Sequence, residues 1–136
     1  MHDEVVTCFE QAIKDSLMVA VNDMRNSGVS FLQNLRNKNV ARCKDGFGKE
    51  VTDWSEMQWG CAIAGEVGEL CNILKKRERD ADTSGKLSNE EVGKEIADAI
   101  LYLDLLAARV GIDLESAIVQ KFNEVSARRG SQIVLP

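Results

Sequence analysis

Histidine occurs once in this chain, as His2 beside the N-terminal methionine, and no CxxC pair or cysteine/histidine cluster accompanies it. That scarcity removes the common zinc patterns, which need thiolates and imidazoles at short spacing. It also removes the Glu-x-x-His ligands of a carboxylate-bridged di-iron bundle. The cysteines, Cys8, Cys43, Cys61 and Cys71, are scattered and read as reduced thiols, with Cys61 and Cys71 serving as small hydrophobes in an apolar helical stretch. Proline occurs once, so little interrupts helix. Cationic charge is also short: 17 Lys and Arg face 22 Asp and Glu, for a net charge of -5. This excludes a protein that grips a nucleic-acid backbone through a broad basic face. No apolar run reaches transmembrane length, and the start of the chain lacks the basic, apolar, small-residue pattern of a leader. Neither membrane nor nucleic acid is therefore an expected partner, and cytoplasm is the expected location. A small anionic ligand remains compatible, provided a divalent cation neutralises both partners.

What is present is helical periodicity. The 136 residues are 44% hydrophobic, enough for one domain, 1–136, with a single core. From His2 to Met24, Val5, Val6, Phe9, Ile13, Leu17, Val21 and Met24 recur at threes and fours, which predicts an amphipathic helix. Gly28 ends that region, and Phe31, Leu32 and Leu35 predict a short second helix. The polar stretch from Arg36 to Glu50 reads as a loop whose Lys38, Arg42, Lys44 and Lys49, set around Gly46, Phe47 and Gly48, suit a ligand better than a core. Asp53 to Glu56 has the form of a capping box that opens a helix to about Arg79, and Ser88 to Glu91 opens another after a polar turn from Asp80 to Leu87. Gly111 stops that helix, and Asp113 caps a last one through about Arg128. Only the tail from Gln132 to Leu135 hints at a strand. Short connections between long helices favour antiparallel neighbours, so the expected fold is all-α, an antiparallel bundle of about five helices.

Four acids stand out against this background. The run GCAIAGEVGELCNIL, from Gly60 to Leu74, carries no charge except Glu66 and Glu69, and a helix apolar on nearly every side is expected to be buried. Neither glutamate has a Lys or Arg three or four residues away, and they repel one another across one turn. Glu95 and Asp98 repeat the arrangement ahead of AILYLDLLAA. Two antiparallel helices that each present carboxylates at i, i+3 bring four oxygen ligands into one space. Like charges gathered there call for a cation, and hard carboxylate ligands without histidine or thiolate indicate Mg²⁺ or Mn²⁺ rather than zinc. The plain alternative is that arginines from another helix or a second subunit meet these acids.

EVGEL at 66–70 followed by EIADAILYL at 95–103 resembles the ExxE and ExxD motifs of the MazG-like, all-α nucleoside triphosphate pyrophosphohydrolases. The likeness runs from about Trp54 to Gly130 and takes in LAARVGIDLESAI and KFNEVSARRG, which look like the end of small single-domain members. One departure is Gly65, where many members carry a glutamate. The ligand or base supplied from that position is absent, which leaves Glu66 and Glu69 as candidates for activating water. The resemblance implies cleavage of a (deoxy)nucleoside triphosphate between its α and β phosphates, giving monophosphate and pyrophosphate. It implies a house-cleaning role in the nucleotide pool, and a homodimer or homotetramer in which a second chain completes the bundle.

On this reading Glu66, Glu69, Glu95 and Asp98 hold one or more Mg²⁺ ions, and phosphates must still meet cations. Lys75, Lys76, Lys121, Arg128 and Arg129 lie near the ends of the helices concerned, with Lys75 and Lys121 the first choices. The resemblance adds Asn123 and Tyr102 as contacts to sugar or phosphate, although Tyr102 equally suits packing one turn beyond Asp98. A planar base calls for aromatic stacking, and Trp54, Trp59 and Phe47 precede the first acidic motif as a lid or base pocket. Trp59 equally suits the core. The competing function is a non-catalytic, oligomeric partner-binding or regulatory module of the same fold, to which Gly65 lends weight.

Overall fold

The computed structural model describes residues 11, 14–16, 18, 19, 28–79 and 88–136. By packing, the chain divides into two compact units, Met1–Leu35 and Arg36–Pro136. In the first, the described residues at 11, 14–16, 18 and 19 are helical, and Gly28 takes φ +68°, the left-handed conformation that a helix stop favours. The rest of the helix expected from His2 to Met24, together with Cys8 and the turn from Asp80 to Leu87, lies outside the described residues. Four helices are complete: α1 (Phe31–Phe47), α2 (Glu56–Arg79), α3 (Asn89–Arg109) and α4 (Leu114–Arg129). The protein is all-α, and the tail from Gln132 to Leu135 is not a strand.

Helix starts and stops follow side-chain chemistry. At Ser88 both halves of a capping box form: its hydroxyl accepts from the Glu91 N–H, and the Glu91 carboxylate accepts from the Ser88 N–H. Asp113 caps α4 by accepting from the Ser116 N–H, and Gly111 (φ +71°) closes α3. The start of α2 corrects the sequence reading by two residues. Ser55 is the cap, with its hydroxyl accepting from the Gln58 N–H at 3.2 Å and the Gln58 side chain accepting from the Ser55 N–H at 2.9 Å. Asp53 instead accepts from the Glu50 N–H at 2.8 Å, which tightens the turn before it.

The stretch from Arg36 to Phe47 is a second correction: it is helix, not loop. The side of the helix turned inward carries Asn39 and Cys43, which are buried, and Arg36, which is half-buried. Polar groups meet polar partners there, so helical spacing is present without an apolar stripe to reveal it.

In the second unit, α2 and α3 make the principal helix contact and run antiparallel. The Arg77 guanidinium at the end of α2 donates to Asn89 at the start of α3, Trp59 meets Tyr102, and Arg109 at the end of α3 donates to the Trp54 carbonyl before α2. Cys43, Trp59 and Leu105 form the core, with Val40, Val51, Trp54, Tyr102 and Leu106 packed around them. This core gathers at one end of the α2–α3 pair. Farther along, Val67 and Leu74 of α2 and Ile96 and Ile100 of α3 are exposed, as is Leu103 of α3 at the core end. The expectation that the run from Gly60 to Leu74 is buried therefore fails: most of its described residues are exposed, and α3 is the helix that α2 contacts most closely among the described elements.

Candidate metal centre and ring pocket

The α2–α3 pairing brings the two acidic motifs together. Glu66 and Glu69, one turn apart on α2, and Glu95, on the facing part of α3, each offer a carboxylate oxygen within 4.8 Å of the others. Asp98, one turn beyond Glu95, borders a pocket together with Glu66. Glu66 and Glu95 are half-buried, while Glu69 and Asp98 are exposed, so the cluster is open to a ligand rather than sealed. Partial burial pushes the Glu66 carboxyl above its usual range, and the charges of Glu69, Asp98 and Glu95 push it the same way. The other three acids thus all act on Glu66.

A hard dication fits this donor set. Oxygens around Mg²⁺ stand at about 2.1 Å from the ion and hence about 3–4 Å from each other, a modest rotamer adjustment from the observed spacing. No arginine or lysine forms an ion pair with any of the four among the described residues, where the ion pairs join Arg36 to Asp104, Lys44 to Glu50, Lys94 to Glu90 and Lys121 to Glu124. The alternative of acids met by arginines within the chain thus finds no counterpart in these pairs.

Beside the acids lies a pocket of about 500 Å³, large enough for a nucleotide-sized ring and part of its tail. Its walls hold Phe47, Trp54, Trp59 and Tyr102, and its remaining lining includes Glu66 and Asp98, Arg42 and Lys49, and the side chains of Cys43, Leu101 and Leu105. The tryptophan rings lie 4.7 Å apart at 50°, and the Lys49 ammonium sits 5.4 Å from the centre of a Trp54 ring. Trp59 is both core and wall: it is 3% exposed, and its indole N–H donates to the Val51 carbonyl at 3.0 Å, which fixes the ring. The Cys43 thiol is pushed up by burial and by the Glu50 and Asp53 carboxylates, so it stays protonated and serves packing rather than nucleophilic attack.

Known protein families, curated proteins and solved structures offer no match to this chain. The resemblance to the MazG-like enzymes therefore rests on the motif residues themselves.

The structure sorts the sequence-derived candidates into those at the pocket and those elsewhere. Glu66, Asp98, Phe47, Trp54, Trp59 and Tyr102 line the pocket, and Glu69 and Glu95 join Glu66 in the acidic cluster. Lys75, Lys121 and Arg128 are exposed and are not part of this lining. Lys121 pairs with Glu124 at 2.8 Å. Asn123 is occupied by the chain terminus: its amide nitrogen donates to the Leu135 carbonyl at 3.0 Å and its amide oxygen accepts from the Leu135 N–H at 2.8 Å. The cations that do line the pocket are Arg42 and Lys49, both from the segment that the sequence marked as suited to a ligand.

A buried polar group behind the wall was not anticipated. Asp104 is 1% exposed and accepts from the Arg36 Nε at 2.7 Å and the Asn39 amide at 3.1 Å. A lone aspartate inside AILYLDLLAA was the available signal, since a charge in an apolar helical run needs a partner.

Proposed function

We propose that this protein is a Mg²⁺-dependent nucleoside triphosphate pyrophosphohydrolase, cleaving between the α and β phosphates. The observation that carries the reading is the juxtaposition of carboxylates from two helices with an aromatic pocket that two of them, Glu66 and Asp98, also line. A metal-dependent centre and a ring-binding wall sharing residues fit a ligand that has polyphosphate at one end and a planar base at the other.

Glu66, Glu69, Glu95 and Asp98 hold the ion or ions in this reading. When bound, Mg²⁺ neutralises phosphate oxygens and lowers the pKa of a coordinated water. The chain's own groups do the rest. Trp54, Phe47 and Tyr102 flank the base, with Trp59 as the fixed ring behind them. Arg42 and Lys49 add positive charge to the pocket, a role that Lys75, Lys121 and Arg128 lack in this lining. Glu66 and Glu69 are the candidates for taking the proton from the attacking water.

We further propose that the working form is a homo-oligomer, dimer or tetramer. Val67, Leu74, Ile96, Ile100 and Leu103 are all more than two-fifths exposed, and apolar side chains left open along paired helices are normally covered by a partner. The same exposure favours the second reading, a helical partner-binding module without turnover. Nucleotide-pool house-cleaning is the role that fits hydrolysis of free triphosphates.

The decisive experiment measures pyrophosphate and monophosphate from ribo- and deoxynucleoside triphosphates, with and without Mg²⁺. Equal yields that depend on Mg²⁺ establish the reaction. Release of single phosphates refutes α–β cleavage, and no turnover with any triphosphate selects the partner-binding module.

A further inference from the structure

Behind the pocket wall, a buried relay fixes the orientation of one cation. The Asn39 amide nitrogen donates both to Asp104 Oδ2 at 3.1 Å and to the Leu101 carbonyl at 2.8 Å. Both acceptors lack hydrogens, which assigns the nitrogen end of this amide to them and leaves its oxygen facing the other way. That oxygen accepts from the Arg42 Nη2 at 2.8 Å. Asn39 is 3% exposed and Asp104 1%, so the support is rigid, while Arg42 itself is exposed and lines the pocket.

The charge is handled with equal care. Arg36 pairs with Asp104, and the acceptor that Asn39 presents to Arg42 is a neutral amide oxygen. Among the described residues, no carboxylate forms an ion pair with Arg42. A guanidinium has five N–H donors, and one bond to Asn39 leaves most of them for a ligand. An exposed arginine ordinarily loses side-chain entropy on binding, and prior tethering of one nitrogen reduces that loss.

Resting on the nucleotide reading above, we propose that Arg42 is a ligand-binding residue of this pocket, donating to an oxygen acceptor of the bound nucleotide, and that Asn39 is the residue that positions it. The acceptor is an oxygen of the phosphate tail or a carbonyl of the base.

The test uses the full chain and its own tryptophans, since Trp54 and Trp59 are its only two and both line the pocket. Quenching of their fluorescence is followed on titration with α,β-imido deoxynucleoside triphosphates in Mg²⁺, and with the corresponding nucleosides. Arg42→Gln is expected to weaken triphosphate binding about tenfold or more, the scale of a lost charge-assisted hydrogen bond, with an unchanged thermal midpoint. Arg42→Lys recovers part of the loss. A loss confined to triphosphates places the acceptor on the phosphates, and an equal loss with nucleosides places it on the base. Asn39→Ala raises KM with little change in kcat, and adding it to Arg42→Gln produces little further loss, the signature of a shared function. Independent, additive losses overturn the role of Asn39. Wild-type affinity in Arg42→Gln overturns the role of Arg42 and leaves the nucleotide reading standing, whereas a wild-type protein that binds none of the probes overturns both.

Discussion

Glu66 is the residue on which the acidic centre converges. Replacing it by Gln, or Asp98 by Asn, removes one anionic ligand without changing size. Turnover is expected to fall to near background while the circular-dichroism spectrum and melting cooperativity stay those of the wild type. Retained activity in either variant would remove the metal model. The pH dependence follows from the raised Glu66 carboxyl. Because its folded-state pKa lies above the unfolded one, ionised Glu66 destabilises the metal-free fold, and that deficit disappears as pH falls through the raised value to the ordinary one. Metal-free Glu66→Gln is thus expected to melt above wild type near neutral pH, with the gap closing on acidification and reversing at neutral pH in saturating Mg²⁺. A gap independent of pH would argue against a raised Glu66 carboxyl.

Asp104 supplies a test of a different kind at the same scale. Its carboxylate is enclosed, and Arg36, the partner, is 19% exposed. Arg36→Met leaves that carboxylate buried with only Asn39 to meet it, an expected loss of about 3 kcal/mol in urea unfolding. A change below about 1 kcal/mol would mean that water replaces the arginine.

Among the elements, legibility tracked the chemistry of the buried face. The helices α3 and α4 announced themselves through Ser88, Glu91, Gly111 and Asp113, each acting locally, and all four perform the expected role. The start of α2 was misplaced because Asp53 and Ser55 both resemble caps, and only the three-dimensional turn decides between them. The second half of α1 was invisible as helix because Arg36 and Asn39 find partners 62 to 68 residues away in α3, information that no local window contains. The acidic pairs were legible from their spacing together with, around Glu66 and Glu69, an apolar run and the lack of a Lys or Arg three or four residues away. Which cations line the pocket was less legible, because proximity to a helix end does not say which way the pocket opens. At Gly93, inside α3, an added Cβ meets open space, so Gly93→Ala is expected to stabilise by about 0.5–1 kcal/mol through helix propensity, read as a higher denaturation midpoint at constant m.

At the scale of the molecule, the exposed residues of α2 and α3 define the remaining question. If Ile96, Ile100 and Leu103 are covered by a second copy, Ile100→Lys shifts sedimentation from the oligomer to the monomer. It also lowers thermal stability in proportion to the lost association. An unchanged sedimentation coefficient together with wild-type stability would leave this face outside any self-contact. All-helical architecture was readable because one proline and repeated threes and fours leave few other choices, but the degree of cover was not: periodicity says which side chains seek burial, not which molecule supplies it.

The acids all belong to α2 and α3, whereas Arg42, Phe47, Lys49 and Trp54 come from α1 and the segment joining it to α2. Trp59 and Tyr102 share those helices with the acids, but this other part of the pocket lining is encoded in a separate stretch of chain. Substitutions accumulating between residues 42 and 54 can alter which compounds the pocket admits while the four acids stay as they are. On the proposed function, such a chain can change its diet over generations without relearning how to digest.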